Sequence, residues 1–408
     1  MGLQKWNLNN YRAMTFSLMR KSFFGLFIII GIFQSQLYAQ GSITKEYRVV
    51  TTAVPFLSIS PDSRAASLGD AGVADTPDAN SIFWNTAKLA FVENKFGASV
   101  SYAPWLRDLV QDMGLMNVYG YYKLSDKQTL TVGLTYFNQG LIDFRTNSGE
   151  EAGTFQSREM SFVAGIAQKL SSDFSMGLNL KFINSNLVGN TVINGQAGKP
   201  GRTAAADLGI YYKKNRPKDL DAEFKKTTDI AYGVVLQNIG GKVNYGFGEY
   251  FIPANLKIGT KISHKTDFHN TFSFLVDFNK LLVPTPTNNS APVSQQGIFS
   301  SIFKSFNDAP NGLSEEIKEV MASVGLEYRY DDLIAFRTGY FHESNDKGSR
   351  QYITTGFGVK LKDIYNLDMA YLIPTKTGNP LANTWRISLN FSIPSKTLKT
   401  SELKEEEE

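Results

Sequence analysis

Few side chains in this sequence have the types and spacing that active-site chemistry requires. The three histidines, His264, His269 and His342, stand outside any local catalytic or metal-binding motif, and the chain has no cysteine. It contains no H-E-x-x-H zinc motif, phosphate-binding loop or dinucleotide fingerprint. We interpret the histidines as surface residues, and the carboxylate pairs Glu315-Glu316 and Asp331-Asp332 as solvated turns or helix starts. The sequence therefore predicts no catalytic residue, no metal, no cofactor and no enzymatic activity.

Large apolar side chains in the connecting segments are better candidates for function. Exposed aromatic residues that cluster at one end of a protein are typical of a protein-binding surface. The alternative is that they form an aromatic girdle at a membrane interface or pack among the loops. The predicted partner-binding residues are Trp105, Leu106, Tyr245, Phe247, Tyr250, Phe251, Phe299 and Phe303.

The composition favours an all-β protein. Aromatic residues make up 13% of the 408 residues, 34 are glycine, and the net charge of +4 gives no electrostatic case for binding nucleic acid. Beyond the N-terminal leader, no stretch approaches the ~20 apolar residues that a membrane-spanning helix needs.

Alternation of apolar and polar residues with a period of two identifies the strands that the connecting segments join. Near the end of the chain, Trp385, Ile387 and Leu389 alternate with Arg386 and Ser388. Successive side chains of a strand point to opposite faces, so each such segment has one apolar and one polar face. Charged residues on the polar face fit a hydrated lumen, and segments of about ten residues fit a tilted crossing of a bilayer. The pattern predicts a transmembrane antiparallel β-barrel.

We count about fourteen such strands, an even number, as is typical of this barrel class. They lie near residues 95–103, 114–123, 128–137, 158–170, 174–184, 204–213, 229–239, 254–263, 271–282, 323–330, 334–342, 352–361, 365–373 and 384–393.

Short and long connections between these strands alternate. Short turns at one rim and long loops at the other are the outer-membrane pattern, with the short turns in the periplasm. The charged segment 214–228 is an exception, which we interpret as a solvated excursion or as a contact with a periplasmic partner. The predicted long loops are 138–157, 185–203, 240–253, 283–322 and 374–383.

The N-terminus has the order of a secretory signal. Basic residues precede an apolar run at 23–33, and small and polar residues follow it up to Ala39, where we place the cleavage site. The alternative is a single membrane anchor, for which the run is short. The signal predicts export, and with the barrel pattern it predicts an outer-membrane protein.

The segment between the signal and the first strand lacks the alternation of the barrel. It contains Trp84, Leu89 and Phe91, which need a dry environment, and a short helix is predicted from Asp78 to Phe91. We expect this segment to fill the lumen as a hatch; the alternative is a periplasmic linker. The predicted division is a signal peptide at 1–39, a hatch at 40–94, the barrel at 95–393 and an acidic tail at 394–408.

Several stretches resemble a known family of outer-membrane barrels, the long-chain fatty-acid-transporter-like proteins, and among these the PorV family of type IX protein secretion. The resemblance spans the mature chain. It rests on Pro61-Asp62-Ser63-Arg64-Ala65-Ala66, Gly69-Asp70-Ala71-Gly72-Val73-Ala74, the run from Asp78 to Ala87, Leu236-Gln237-Asn238-Ile239-Gly240-Gly241, the run from Ile252 to Gly259 and Leu367-Asp368-Met369-Ala370-Tyr371.

The resemblance implies a fourteen-stranded barrel with an N-terminal plug. It also implies that the protein collects secreted cargo through the cargo's C-terminal signal domain at a type IX translocon subunit and delivers it to a surface sortase complex. One departure is that seventeen residues follow Phe391, where such barrels commonly end on an aromatic residue. The hatch residues singled out by the motif are Arg64, Asp70, Asn80, Trp84 and Asn85.

Two hypotheses for function follow from these observations. In the first, the protein is a cargo-binding shuttle in the outer membrane that contacts lipid and protein partners. In the second, it is a channel for hydrophobic small molecules such as long-chain fatty acids, which would require a continuous apolar pocket. The polar inner wall inferred from the strands argues against the second hypothesis.

Overall fold

A computed structural model shows a closed barrel of fourteen antiparallel strands, in which each strand pairs with the next and the first pairs with the last. It describes residues 48–393 except 108–109, 146–147, 188, 190–191, 194–195, 215–226, 287–295 and 363. The barrel strands are β1 Phe96–Pro104, β2 Gly114–Lys123, β3 Gln128–Arg145, β4 Glu151–Lys169, β5 Phe174–Asn186, β6 Gly201–Lys213, β7 Thr227–Gly240, β8 Asn255–Lys265, β9 Asn270–Leu281, β10 Val320–Tyr330, β11 Ile334–His342, β12 Gln351–Leu361, β13 Tyr365–Pro374 and β14 Trp385–Ile393.

The barrel is polar inside and apolar outside, the reverse of a water-soluble protein. On β14 the side chains of Arg386 and Ser388 are 2% and 0% exposed, whereas the next residue, Leu389, is 47% exposed. The same inversion recurs on β9, where Asp277 is buried and Phe278 is exposed. Apolar residues facing outward on every strand form a surface that only lipid can cover favourably. The predicted transmembrane antiparallel β-barrel is confirmed.

The two rims differ in the length of their connections. At the inner rim, short turns such as 124–127, 170–173 and 266–269 join the strands, and by the rule for this barrel class this rim faces the periplasm. At the outer rim, long segments such as 241–254 and 282–319 join them.

One predicted long loop is wrong. Most of the segment 138–157 is strand, because β3 continues to Arg145 and β4 begins at Glu151. A bulge lies between Asn138 and Leu141, and Gly140 adopts a φ of 86° there. Beyond this bulge the hairpin is longer than a bilayer crossing requires, so its side chains need not alternate between lipid and lumen. The period of two was therefore lost although the strand continued.

The N-terminal segment lies within the barrel, against lumen-facing residues of the wall, as the plug prediction expected. It contains two short α-helices and two 3₁₀ turns, and the predicted helix from Asp78 to Phe91 is interrupted at Asn85, which is extended (φ −165°, ψ 100°). The elements of this hatch are a 3₁₀ turn Pro55–Ser58, α1 Ser63–Ser67, α2 Ser81–Trp84 and a 3₁₀ turn Thr86–Phe91.

The outer loops contain the remaining regular elements. Two short hairpins pair Val192–Ile193 with Gln196–Ala197, and Val243–Asn244 with Glu249–Tyr250. The connection from β9 to β10 carries α3 Ile298–Lys304 and α4 Leu313–Lys318.

Within the described ranges, no helix combines the length and apolar character that a membrane span requires. The predicted signal peptide, most of the charged segment 214–228 and the acidic tail lie outside the described residues.

Candidate functional site

The hatch is organised around Asp62 and Trp84. One oxygen of the Asp62 carboxylate accepts the N–H of Ala65 at 2.9 Å and caps α1, and the other accepts the indole N–H of Trp84 at 2.7 Å. Opposite the ring stands Gly72, where a Cβ atom would lie 2.3 Å from the indole. The glycine is therefore required for close packing, and Trp84 is fixed inside the hatch.

Side chains of the barrel wall satisfy the backbone of the hatch. The N–H of Ser63 donates to the hydroxyl of Ser388 on β14 at 2.8 Å. The consecutive N–H groups of Gly72 and Val73 both donate to one oxygen of Asp277 on β9, at 2.7 and 2.8 Å. A polar wall residue thus replaces the water that an irregular backbone would otherwise need.

Each of the five hatch residues expected from the sequence contacts another part of the molecule, either the wall or the rest of the hatch. Arg64 and Trp84 bond to hatch aspartates, whereas the other three reach the wall. Asp70 accepts the hydroxyl of Tyr352 at 2.5 Å, Asn80 donates to Asn390 at 3.0 Å, and Asn85 donates to the carbonyl oxygen of Ile210 at 2.9 Å.

Asp75 is the centre of a buried ion cluster between hatch and wall. Its carboxylate is 2.9 Å from Nε of Arg64, in the hatch, and 2.7 Å from Nζ of Lys261, on β8. Glu327 on β10 lies further out, 3.8 Å from Arg64 and 3.9 Å from Lys261. All four side chains are at least nine-tenths buried, so removal of Asp75 would leave Arg64 and Lys261 without their nearest counter-charge in a dry environment.

The ion cluster continues around the wall. Arg337 on β11 is 2.7 Å from Glu327 and 2.7 Å from Asp368 on β13. Charged residues on the polar strand faces were expected to line a hydrated lumen, and Arg337 and Asp368 are two such residues. They do face the lumen, but they are paired with each other and shielded from water rather than solvated.

The hatch separates two cavities in the lumen. The outer cavity has a volume of about 320 Å³ and is lined by residues such as Ser60, Lys257 and Tyr352. The inner cavity has a volume of about 390 Å³ and is lined by residues such as Arg64 and Lys360. The two cavities share no described lining residue. The lumen is therefore divided by the hatch, with polar groups on both sides.

The motif Leu236 to Gly241 forms a bulge where β7 leaves the barrel. Asn238 adopts a φ of 56°, and the pairing of β6 with β7 shifts next to it, between Ala206 and Leu208. The N–H of Asn238 donates to Asp207 at 2.8 Å, and its side-chain amide donates to the carbonyl oxygen of Pro253 at 3.0 Å. An asparagine suits this position because it tolerates a left-handed conformation and bonds the adjacent backbone.

The predicted partner-binding residues divide into three groups by exposure. Tyr245 and Phe251 are buried, which contradicts the expectation that they are exposed. Tyr245 donates to or accepts from Ser185 at 2.8 Å, and Phe251 packs with the apolar residues that follow β9. Trp105, Leu106 and Phe247 are partly buried, and Tyr250, Phe299 and Phe303 are 45%, 73% and 75% exposed.

The exposed apolar side chains of the outer rim are concentrated on α3 and α4. Phe299 and Phe303 are four residues apart, so they share one face of α3. Leu313 and Ile317, which the sequence analysis did not single out, have the same spacing on α4 and are 74% and 63% exposed. We call these four residues the outer apolar faces. Large apolar residues this exposed are typical of a contact surface.

A second ion cluster, which we call the outer ion cluster, holds the β9–β10 connection to the rest of the outer rim. It consists of Lys280, Glu315, Glu316, Glu319 and Lys347. Lys280 is 2.9 Å from Glu316 and 2.6 Å from Glu319, and Lys347 is 2.7 Å from Glu315 and 2.8 Å from Glu319. Glu315 and Glu316 lie in the first turn of α4, as the helix-start interpretation expected, but they are not solvated, because each is only 6% exposed.

The same region contains a group of carboxylates with the spacing of a cation site. Oxygens of Asp308, Glu316 and Glu319 lie within 4.8 Å of one another. However, the ammonium group of Lys280 contacts two of these carboxylates directly. A lysine in this position neutralises the acids without a metal, so we assign Glu316 and Glu319 to the outer ion cluster and propose no metal site.

The outer ion cluster should loosen in acid. Burial raises the pKa of Glu319, but hydrogen bonds from Lys280 and Lys347 outweigh it and hold the pKa below the ordinary 4.5. The stabilisation is therefore complete above about pH 4.5 and is lost as the pH falls through the lowered pKa. We expect hydrogen exchange in residues 296–319, corrected for intrinsic rates, to accelerate between pH 5 and pH 3. Glu319→Gln should show fast exchange already at pH 6; equal exchange in both proteins across this range would contradict the assignment.

The three histidines are exposed, as the sequence analysis expected. His264 lies near the end of β8. His264 bonds to Thr228 at 2.8 Å, and His269 contacts Asp331 between two inner turns.

Both the sequence and the fold resemble those of known proteins. Residues 42–288, more than half of the chain, match the family described as "Type IX secretion system protein PorV". No curated protein matches the sequence.

Similar solved structures include the Pseudomonas putida toluene transporter TodX, with 11% identity, a TM-score of 0.44, and coverage of 85% of this chain and 98% of that chain. They also include a Pseudomonas aeruginosa FadL homologue, with 12% identity, a TM-score of 0.42, and coverage of 85% and 99%. Similarity at this level says nothing about substrate. The sequence match decides the family, and the closed barrel with its outward apolar surface agrees with it: this chain belongs to the PorV family of type IX secretion system proteins and lies in the outer membrane.

Proposed function

We propose that this protein binds secreted cargo at the type IX translocon and carries it to the attachment complex at the cell surface. The observation that supports this most directly is the pair of outer apolar faces on α3 and α4. In this proposal they contact the C-terminal signal domain of the cargo. The translocon subunit and the sortase complex are the proposed partners at either end of the transfer.

The geometry of the outer rim suits such a role. The outer ion cluster holds α4 to the barrel rim, because Glu316 pairs with Lys280 and Glu315 pairs with Lys347. The helix that presents Leu313 and Ile317 is therefore fixed in place. A rigid apolar surface loses less conformational entropy on binding than a flexible loop does. Exposed phenylalanines on α3 supply the large apolar area that is typical of binding hot spots.

The alternative of a channel for hydrophobic small molecules has less support. Such a channel needs a continuous apolar path, whereas the hatch separates the two cavities and charged side chains such as Asp70, Lys257 and Arg350 interrupt the apolar lining of the outer one. The buried ion cluster around Asp75 would have to open for a solute to pass.

We expect the double variant Phe299→Ser/Phe303→Ser to reduce surface delivery of cargo by at least about tenfold, because each aromatic anchor of an interface commonly contributes about 2 kcal/mol or more. Surface-attached cargo on intact cells would be quantified by protease shaving and immunoblotting. Both residues are more than 70% exposed, so the barrel should fold normally. These point variants test cargo binding more specifically than a deletion of residues 240–253 would, because that deletion would also remove the buried Tyr245 and Phe251.

Phe268→Ser provides the matched control. Phe268 is 65% exposed but lies in an inner turn, at the opposite rim from α3. It should leave delivery unchanged. Normal delivery by the double variant, with folded barrel at wild-type level, would count against cargo binding by α3.

A further inference from the structure

The outer cavity is bordered by several polar side-chain groups that lack a hydrogen-bond or ion-pair partner, which is unusual in a packed protein interior. It is lined by the hatch and by residues of β8, β9, β11 and β12, and its volume of about 320 Å³ falls in the range of small-ligand sites. A neighbouring cavity of about 290 Å³ shares Val50 and Arg350 with it and extends to Lys347 and Gly348 in an outer loop. The outer cavity therefore adjoins a route towards the outer rim.

Lys257 places a positive charge at this cavity without an acidic partner. Its side chain is 6% exposed, and its ammonium group lies 4.8 Å from the ring centre of Trp84 and 5.0 Å from that of Phe83. By contrast, Lys181 and Lys261, which also face the lumen, each have an aspartate within 2.8 Å. Among the described residues, no carboxylate lies within ion-pair distance of Lys257. Burial of a cation without an ion pair is costly, and an anion would offset that cost.

Three further polar atoms at the same cavity have no hydrogen-bond partner in the protein. They are the hydroxyl oxygen of Ser60, Oδ1 of Asp70 and Oδ1 of Asn255. Ser60 and Asn255 are 3% and 4% exposed, so bulk solvent does not satisfy them. Buried polar groups are almost always bonded, and a cluster of unbonded ones beside a cavity points to a ligand.

The required ligand has two features. A negative group must face the ammonium of Lys257, and hydrogen-bond donors must face the acceptors on Asp70 and Asn255. A carboxylate followed closely by an amide N–H has both features, and it occurs at the C-terminal residue of every protein chain.

We propose that the outer cavity binds the C-terminal carboxylate of a polypeptide, with Lys257 facing the carboxylate and with Asp70 and Asn255 accepting main-chain N–H groups. The identification of that polypeptide as secreted cargo rests on the function proposed above. The cavity chemistry itself does not depend on the outer apolar faces.

Binding can be measured by isothermal titration of the mature protein in detergent. Acetyl-trialanine with a free carboxylate should bind, and the same peptide as its C-terminal amide should bind at least about tenfold more weakly, because the charge-assisted bond to Lys257 is lost. Lys257→Met should abolish the difference between acid and amide, and Lys257→Arg should restore most of it. Lys360→Met, at the inner cavity, should behave as wild type.

Other outcomes would overturn the proposal. Equal binding of acid and amide would exclude carboxylate recognition, and undetectable binding of both would mean that the cavity is filled by water alone. Equal binding of N-acetylalanine and the tripeptide would assign the site to small acylated amino acids instead of a chain terminus. If the peptide binds but the Phe299→Ser/Phe303→Ser variant still delivers cargo, cargo binding by α3 is excluded and the cavity site stands. If the peptide does not bind but that variant loses delivery, the cavity site is excluded and cargo binding by α3 stands.

Discussion

Substitution of Asp75 with asparagine should release the hatch from the barrel wall. The change leaves Arg64 and Lys261 buried with only more distant counter-charges, Glu327 for both and Asp78 for Arg64. Breaking a buried ion pair by removal of one partner costs about 3–5 kcal/mol. If that cost falls on the hatch alone, the population with a displaced hatch rises at least about a hundredfold, since each 1.4 kcal/mol is a factor of about ten.

Because the chain has no cysteine, displacement of the hatch can be measured through a single introduced thiol. Ala66 lies in α1 and is fully buried, so Ala66→Cys introduces a single thiol that a maleimide can reach only when the hatch moves. We expect the thiol to react at least about a hundred times faster in the Asp75→Asn background than with Asp75 present.

Two control variants distinguish the effect of losing a buried ion pair from the effect of losing an exposed one. Adding Lys261→Met to Asp75→Asn removes one of the unpaired cations, and should slow the reaction again. Asp332→Asn breaks the ion pair with Arg329 at the inner rim, where Asp332 is 65% exposed, and should change stability by less than about 1 kcal/mol. Thiol reactivity that is the same in all these proteins would show that the ion cluster does not hold the hatch.

The barrel strands were predictable because lipid and lumen impose a strict period on the chain. A residue such as Leu389 must contact lipid and its neighbour Ser388 must face the interior, so the pattern survives in sequence. The extension of β3 to Arg145 was missed because the hairpin there is free of that constraint. Strand pairing alone leaves no periodic signature in the side chains.

The functional residues were predictable only in part. Trp84 was placed in the hatch because an indole among small residues needs a dry site, and its bond to Asp62 agrees with that. The ion pairs were not predictable, since Arg64 and Glu327 are distant in sequence and meet only when the barrel closes. The same holds for Glu315, whose burial depends on Lys347 from another loop. Local sequence shows where a charged residue lies, but not which residue will form an ion pair with it in the folded chain.

These differences explain why exposure of the loop aromatics was misjudged. Tyr245 and Phe251 lie in the same aromatic-rich loop as the exposed Tyr250, and nothing in its sequence indicates which of these rings fold onto the barrel mouth. Phe299 and Phe303 stay exposed because α3 is only seven residues long and its outer face has no neighbouring element to pack against among the described residues. A contact surface can therefore be assigned only after the loops have been seen to pack.

The outward-facing apolar surface is tested by Leu180→Arg, which should lower the free energy of folding into lipid vesicles by about 2–4 kcal/mol, the cost of arginine on the lipid face near the bilayer midplane. Leu180 is the central residue of β5, and its neighbours on the adjoining strands are Ala164 and Ala206. These small side chains leave it 62% exposed, so an arginine there would clash with no protein group. The expected loss is therefore a lipid effect.

Leu124→Arg is the matched control, because Leu124 is 51% exposed but lies in an inner turn outside the strands. Urea titrations in phosphatidylcholine vesicles should give it a free energy of unfolding within about 0.5 kcal/mol of wild type, as for surface positions generally. In detergent micelles, whose surface adapts around a charge, the penalty at Leu180 should shrink. If the two arginine variants were equally stable in vesicles, the exposed leucines would be facing water, and the barrel could not be a membrane protein in the orientation described.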